Sequence, residues 1–487
     1  MSITGAVANA LSGLTASARS AEVISSNIAN AMTDSYARRE VVLANQVLGS
    51  TGAGVRVADI ARVTDQTAIA ERRLARASLG AAEVTAGFHA RMEGTIGMPG
   101  EAGALTGRID TLEGALAEAA SRPEDSARLQ AVVDAADRLA GSMNLISTEI
   151  STIRVTADRE IADKVTEVND TLSRIAGLNG EIRLHQGSGR DISALLDERQ
   201  RLIDQVSQNI PIREIPRGNG EIALYSTAGA GLIEGSKAAE IGFTPANVIT
   251  PQMSQAGGQL SGLTLDGIEI ATSGTRQPLG GGALGALFEV RDTLAPQAQS
   301  QIDALARDLY ERFADPAVDP TLAADEPGLF IDDGGAFDAA EELGLAGRIA
   351  LSSLVDPAQG GALLRLRDGL GTGAVPGPVG DATRINALGS ALAAPREPAS
   401  GDFSGGALSA TGLAAEMLSL NGTARQTAEA DETFASFMAT TYDTRVLEIG
   451  VDTDVELQNL MVVETAYAAN AQVLRTIDEM LKTVLAI

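Results

Sequence analysis

The sequence predicts an α+β, multi-domain protein in which long α-helical terminal and core domains carry an inserted β-rich domain. Three observations predict it. A length of 487 residues exceeds what one hydrophobic core ordinarily serves. Long Ala- and Leu-rich stretches with helical periodicity occupy both ends of the chain and much of its middle. Between residues 211 and 282 the pattern switches to short alternations such as Glu221-Ile222-Ala223-Leu224-Tyr225, broken by frequent Gly.

The first helical segment sets Val7, Leu11, Leu14, Ala18, Ala21, Ser25 and Ile28 at alternating steps of four and three, the a/d spacing of a coiled-coil seam. Most of these side chains are small, which suits close helix approach. The helix is expected to stop near Asn30, because Thr33-Asp34-Ser35 is turn chemistry and Asn27 and Asn30 can bond freed backbone groups. Residues 41–63 read as extended or irregular chain around Ser50-Thr51-Gly52-Ala53-Gly54. Ala-rich helices follow at 68–90 and 105–120, broken by Gly94 through Gly103, and Pro123 fits the first turn of the next helix. The longest helical run is 126–184. After Gly187-Ser188-Gly189, residues 191–208 form a capped amphipathic helix with Ile192, Leu195, Leu196, Leu202, Ile203 and Val206 on the buried side.

The β-rich stretch covers 212–270. Helix returns at Gly285 and runs to about Phe313, with Pro296 expected to kink it or mark a restart. Asp, Pro and Gly dominate 315–405, so loops prevail there. Helix resumes over 408–448, breaks at Gly450 and continues from Asp454. That last segment holds the clearest pattern: Leu460, Val463, Tyr467, Asn470, Leu474, Ile477, Leu481 and Val484 follow heptad steps without a slip. A single polar d residue, here Asn470, commonly fixes register at some cost in stability. A helix packed on its own domain would show the same pattern, but a seam in each terminal segment favours assembly surfaces. Either seam alone buries too little apolar surface to offset the entropy of ordering its segment, so both ends are expected to be loosely ordered until neighbouring copies cover them.

These features divide the chain into a discontinuous terminal helical assembly domain (1–60 and 450–487), a helical core domain (61–210, 283–315 and 405–449), the β-rich insertion (211–282) and a loop-rich outer lobe (316–404).

Composition excludes several classes of function. A formal charge of −27, from 64 acidic and 37 basic residues, argues against duplex nucleic acid or an anionic membrane as partner. No segment approaches the ~20 apolar residues of a membrane span, and the first ten residues lack the pattern of a secretory signal. Cysteine is absent, which removes thiolate metal sites, cysteine nucleophiles and disulfides. That absence fits an export route bypassing oxidative folding and fits a cytoplasmic protein equally. His89 and His185 stand alone on helices, so neither a histidine metal site nor a Ser-His-Asp triad is supported. Gly187-Ser188-Gly189 and Gly280-Gly281-Gly282 lack the Lys of a phosphate loop, and Asp332-Asp333-Gly334 lacks the ligand spacing of a calcium loop. The reading is therefore of no catalytic residue, no cofactor and no metal: a structural protein, not an enzyme.

A family resemblance enters through particular residues. Leu11-Ser12-Gly13-Leu14, then Ser25-Ser26-Asn27-Ile28-Ala29-Asn30 and Thr33-Asp34-Ser35-Tyr36-Ala37-Arg38, resemble the N-terminal signature of bacterial flagellar rod, hook and hook-associated proteins. Gly450-Val451-Asp452, Glu464-Thr465-Ala466-Tyr467-Ala468-Ala469-Asn470-Ala471 and Asp478-Glu479-Met480-Leu481 resemble its C-terminal counterpart. Residues 191–203, with Leu195-Leu196-Asp197-Glu198-Arg199-Gln200-Arg201-Leu202, and 281–292, with Leu287-Phe288-Glu289-Val290-Arg291-Asp292, are similar to the branch of the family at the hook-filament junction. The family usually has Gly where this chain has Ser35, and a side chain there weighs against a left-handed turn.

The resemblance implies a flagellin-like helical bundle and a flagellar subunit, exported through the type III route to the extracellular flagellum. It implies helical self-polymerisation through Val7, Leu11, Leu14, Ala18, Ala21, Asn27, Ile28 and Asn30 with the eight C-terminal seam residues. Implied partners are the hook protein, the second junction protein and an export chaperone at the C-terminal helix. The alternatives are another axial class (hook, distal rod or second junction protein) and an exported cell-wall hydrolase anchored by these helices.

Overall fold

Runs of Ala, Leu and β-branched residues at helical spacing form long helices, and the Gly-punctuated stretches between them form short antiparallel sheets. The computed structural model describes residues 3–485 apart from 34, 49–50, 99, 102, 189 and 405. In chain order the elements are α1 (Ile3–Ala29), β1 (Arg39–Leu48), β2 (Thr51–Arg62), α2 (Gln66–Ile96), α3 (Leu105–Ser121), α4 (Ser126–Gly187) and α5 (Ser193–Asn209). Next come β3 (Ile212–Pro216), β4 (Ile222–Ser226), β5 (Gly231–Glu234), β6 (Lys237–Ala238), β7 (Ile241–Gly242), β8 (Leu263–Leu265) and β9 (Ile268–Ile270). Then follow α6 (Gly282–Glu289), α7 (Ala295–Phe313), β10 (Phe330–Asp332), β11 (Ile349–Leu351), α8 (Arg365–Asp368), α9 (Thr383–Ala393), α10 (Ala410–Glu448) and α11 (Thr453–Leu485). No described helix is long and apolar enough to cross a membrane.

The chain forms two compact units. The first comprises Met1–Leu79, Glu167–Glu240 and Phe434–Ile487; the second comprises Gly80–Thr166 and Ile241–Thr433. In the first, α1 packs on α11 and on the β1–β2 hairpin, while β3, β4, β5 and β6 form a meander of antiparallel strands. In the second, α3 turns Leu105, Ile109, Leu112 and Leu116 inward at helical spacing and packs on α9, where Ile385, Leu388 and Leu392 are buried. Strands β7–β8–β9 form a separate three-stranded sheet in this unit. The expected β-rich stretch is thus two small sheets.

Three local expectations are sharpened or corrected. Residues 41–63, read as extended or irregular, are largely extended: β1 and β2 pair as an antiparallel hairpin with irregular register between Val42 and Leu43 and between Asn45 and Val47. Ser50, at its expected centre, lies outside the described residues. Pro123 stands in the turn between α3 and α4 instead of inside the helix. The carboxylate of Asp125 accepts the amides of Ala127 and Arg128 (2.9 and 3.4 Å), so the N-cap falls two residues later. Pro296 marks a restart, as expected: a π-helical turn, Val290–Leu294, connects α6 to α7, in whose first turn the proline sits. There its missing N–H has been absorbed by the wider turn.

That π turn turns Arg291 completely inward. Its guanidinium donates to Asp158 (2.6 Å), to the Ser261 carbonyl (2.9 Å) and to Asp292 (2.8 and 2.9 Å), and it lies 4.8 Å from the Phe288 ring centre and 5.6 Å from that of Phe243. Asp158 also accepts the Ala246 amide at 2.6 Å. A charge can be this deeply buried only because each guanidinium nitrogen has an acceptor.

Candidate assembly interface

The first unit gathers both predicted seams. Asn27, fully buried near the end of α1, ties that helix to the hairpin. Its side-chain oxygen accepts the Tyr36 hydroxyl (2.9 Å) and the Arg39 amide (3.0 Å), and its NH2 donates to the Arg39 carbonyl (2.9 Å). Arg39 stacks over the Tyr36 ring at 4.9 Å. Asn30 donates to the Ser26 carbonyl at 2.8 Å, closing the last turn.

Ser35 adopts φ 62°, so the left-handed turn is present despite the side chain. An L-residue there costs about 1 kcal/mol that glycine avoids. Ser35→Gly is therefore expected to raise stability by about 0.5–1 kcal/mol, read as a higher urea midpoint for the transition that releases the hairpin. An unchanged or lower midpoint would contradict this.

Small residues permit the close approach of three elements. Ser12 Oγ donates to the Asn9 carbonyl (2.8 Å) and accepts the Val55 amide of β2 (3.1 Å). Gly54 has φ 96°, and a β-carbon there would overlap Ser12 Oγ. A β-carbon on Gly13 would lie 2.7 Å from the Asn470 side chain, so α1 leaves a notch that Asn470 of α11 fills.

Placement of the predicted seam residues is mixed. On α11, Leu460, Val463, Asn470 and Leu474 are half-buried and Ile477 is buried, whereas Tyr467 (48% exposed) and Leu481 (39%) are open. The side chain of Val484 lies outside the described residues. On α1, Val7, Leu14, Ala21, Ile28 and Asn30 are half-buried, while Ala18 is exposed and Leu11 is 57% exposed. The residues α1 buries are Ala10, Ala16, Ser17, Val23, Ile24 and Asn27. Packing within the chain thus runs one position before the expected seam, because α1 must face both α11 and the hairpin. The larger apolar residues Leu11, Met461, Val462 and Met480 remain on the outside.

The helix α5 holds this terminal element from the other side, through residues a search for apolar periodicity passes over. Asp197 accepts Arg39 Nη2 (2.8 Å), Arg62 Nε (2.9 Å) and the Ala37 amide (3.3 Å). Gln200 accepts Arg62 Nη2 at 3.0 Å. One turn on, Asp204 pairs with Arg72 and with Arg73 Nε (2.6 Å) of α2. Arg199, buried, donates to Asn179 (2.9 Å) and to the Gly220 carbonyl (2.7 Å). Burial pushes its pKa down to about 10, with Arg62 and Arg73 acting the same way against Glu214. Isolated acidic and basic residues on an amphipathic helix ordinarily point to solvent, so only the density of charges in Asp197-Glu198-Arg199-Gln200-Arg201 hinted at this. Among the described residues no group of His, Cys, Asp and Glu could hold a metal ion.

Two family models match the chain. One, the helical domain of the flagellar hook-associated protein FlgK, matches residues 90–315; the other, the C-terminal segment of flagellar basal body rod FlgEFG proteins, matches 447–487. Both models describe one class of protein, components of the bacterial flagellum, and the chain is similar to that class over these residues. Within that class it is similar to flagellar hook-associated protein 1, and the resemblance seen in residues 191–203 and 281–292 is borne out. The protein of that name from Bacillus subtilis (strain 168) is 27% identical over 220 residues, covering 43% of each chain. Its counterpart from Escherichia coli (strain K12) is 24% identical over 312 residues, covering 63% of this chain and 55% of the relative. The chain thus spans about half the length of these relatives. The solved structure of the flagellar hook junction protein FlgK from Burkholderia pseudomallei aligns with a TM-score of 0.44 and 22% identity, over 54% of this chain and 46% of that one.

Proposed function

We propose that the chain is a structural subunit of the bacterial flagellum that forms the junction between hook and filament, polymerising helically through α1 and α11. The match of residues 90–315 to the FlgK helical domain carries this reading, since the C-terminal match is shared with rod proteins. The packed pair of α1 and α11, with apolar residues left on its outer side, supports the mode of assembly. The subunit is exported to the extracellular flagellum, and it performs no catalytic step. Its partners are further copies of itself, the hook protein and the second junction protein, with an export chaperone holding α11 beforehand.

The seam residues are tested by comparing two charge substitutions on α11. Leu474→Asp places a carboxylate on the half-buried side, one turn beyond Asn470, whereas Lys482→Asp changes a side chain 74% exposed. Leu474→Asp is expected to lower incorporation into flagella well below the level of Lys482→Asp, by quantitative blotting of isolated hook-basal bodies. Equal incorporation would show that the seam lies on another face. Immunogold labelling at the distal end of the hook checks the position itself; label along the rod or throughout the hook would point to another axial class.

A further inference from the structure

We propose that Asp197 is the positioning residue of the first unit: its carboxylate fixes the angle at which the terminal element, α1 with its hairpin and α11, sits on α5 and on the stretches of α2 and α10 that belong to the same unit. The inference deepens the assembly reading above, because a tubular lattice accepts a subunit only when its polymerising helices project at the right angle.

The geometry of the connections motivates it. The terminal element joins the rest of the unit at two chain crossings, residues 63–65 between β2 and α2 and 449–452 between α10 and α11. Beside these crossings lies a cleft of about 650 Å³, lined among others by Tyr36, Arg38, Asp65, Gln200, Leu447 and Gly450. Leu447 on its wall is exposed. The bonds from the base of the hairpin to α5 are polar. The base of the hairpin is where its two strands begin and end, at Arg39 and Arg62, and both guanidiniums reach the one carboxylate of Asp197. The Ala37 amide makes a third bond to it. The Arg38 to Glu456 pair (3.6 Å), by contrast, lies inside the terminal element and does not cross the cleft.

Charge makes this contact directional. Arg39 and Arg62 gather around one carboxylate that is itself 14% exposed, and the charge of Arg62 also acts on the buried Arg199 of α5. With Asp197 neutral, Arg62 faces Arg199 without the carboxylate that holds the hairpin to α5, and attraction gives way to repulsion. A contact that merely stabilised the unit would, on removal, lower its unfolding midpoint and leave the native geometry unchanged. A positioning contact changes the geometry of the folded state.

The absence of cysteine allows a direct test. Spin labels on cysteines replacing Val47 of the hairpin and Ala194 of α5, both exposed, report the distance between hairpin and α5 by double electron–electron resonance. The parent chain and Asp197→Glu, which keeps the charge, are expected to give one narrow distance peak. Asp197→Asn is expected to give a broadened or second peak while its circular dichroism stays native. Should Asp197→Asn not fold, Arg62→Gln replaces it, with the same expected broadening. A single narrow peak in the folded variant overturns the proposal, even if its unfolding midpoint falls. These measurements use the free chain, so they stand whether or not it builds a junction; failure of parent and variants alike to enter flagella would instead count against the assembly reading.

Discussion

Deletion from Asp454 onward is expected to leave cells with hooks but without filaments, and with flagellin released to the medium. The deletion removes all but the first residue of α11, and with it Asn470, which fills the notch at Gly13, and Glu456, which pairs with Arg38. The side of α1 that packs on α11, with Gly13, is thereby uncovered. A lone helix of this length, with small side chains and no partner, is marginal in water. The second unit contains none of the deleted residues, so its unfolding transition should persist at nearly its original midpoint. Electron microscopy of the cells and blotting of flagellin in the medium read the first outcome, and calorimetry of the purified chain reads the second. Normal filaments on the truncated strain would remove α11 from the assembly role. Loss of both unfolding transitions would show instead that the deletion acts by unfolding the whole chain.

What the sequence made legible was periodic. Heptad steps over residues 460–484 and the long run at 126–184 became α11 and α4, because repeated apolar spacing leaves few other ways to bury one face. The face of α1 was harder to read. Its buried residues include Ala10, Ala16 and Ser17, which carry almost no hydrophobic signal, and the larger Leu11 stays outside. Small residues are chosen where backbones approach closely, as at Gly13 against Asn470, and that requirement has no signature in a hydropathy pattern. The hairpin was missed for a related reason: Val41, Val42 and Leu43 run together without clean alternation, since the strand carries register shifts between Val42 and Leu43 and further along. Once the hairpin covers α1, the terminal element has a third partner that seam energies alone do not count, and α1 and α11 form continuous helices in the single chain. The partners of the polar clamp of α5 were hidden for a different reason. Asp197, Gln200 and Asp204 acquire their meaning from Arg39, Arg62, Arg72 and Arg73, more than 130 residues earlier, and no local pattern couples such distant charges.

The same logic of distant partners gives the largest effect expected in the second unit. Arg291→Met should cost about 3–5 kcal/mol, because it leaves Asp158 as a buried carboxylate whose remaining bond is from the Ala246 amide, and it strips the Ser261 carbonyl of a donor. The methionine itself fits the site, lying between the rings of Phe243 and Phe288 where sulfur–aromatic contacts are favourable. The loss therefore comes from the unpaired acid, not from a cavity. The prediction separates these causes: Asp158→Asn combined with Arg291→Met should recover a substantial part of the loss, since the amide carries no charge and can still accept the Ala246 N–H. Urea unfolding of the second unit's transition in the two single variants and the double variant measures that coupling. A double variant as unstable as the sum of the singles would mean that Arg291 acts chiefly by filling space at the π turn, and that its ion pair with Asp158 contributes little.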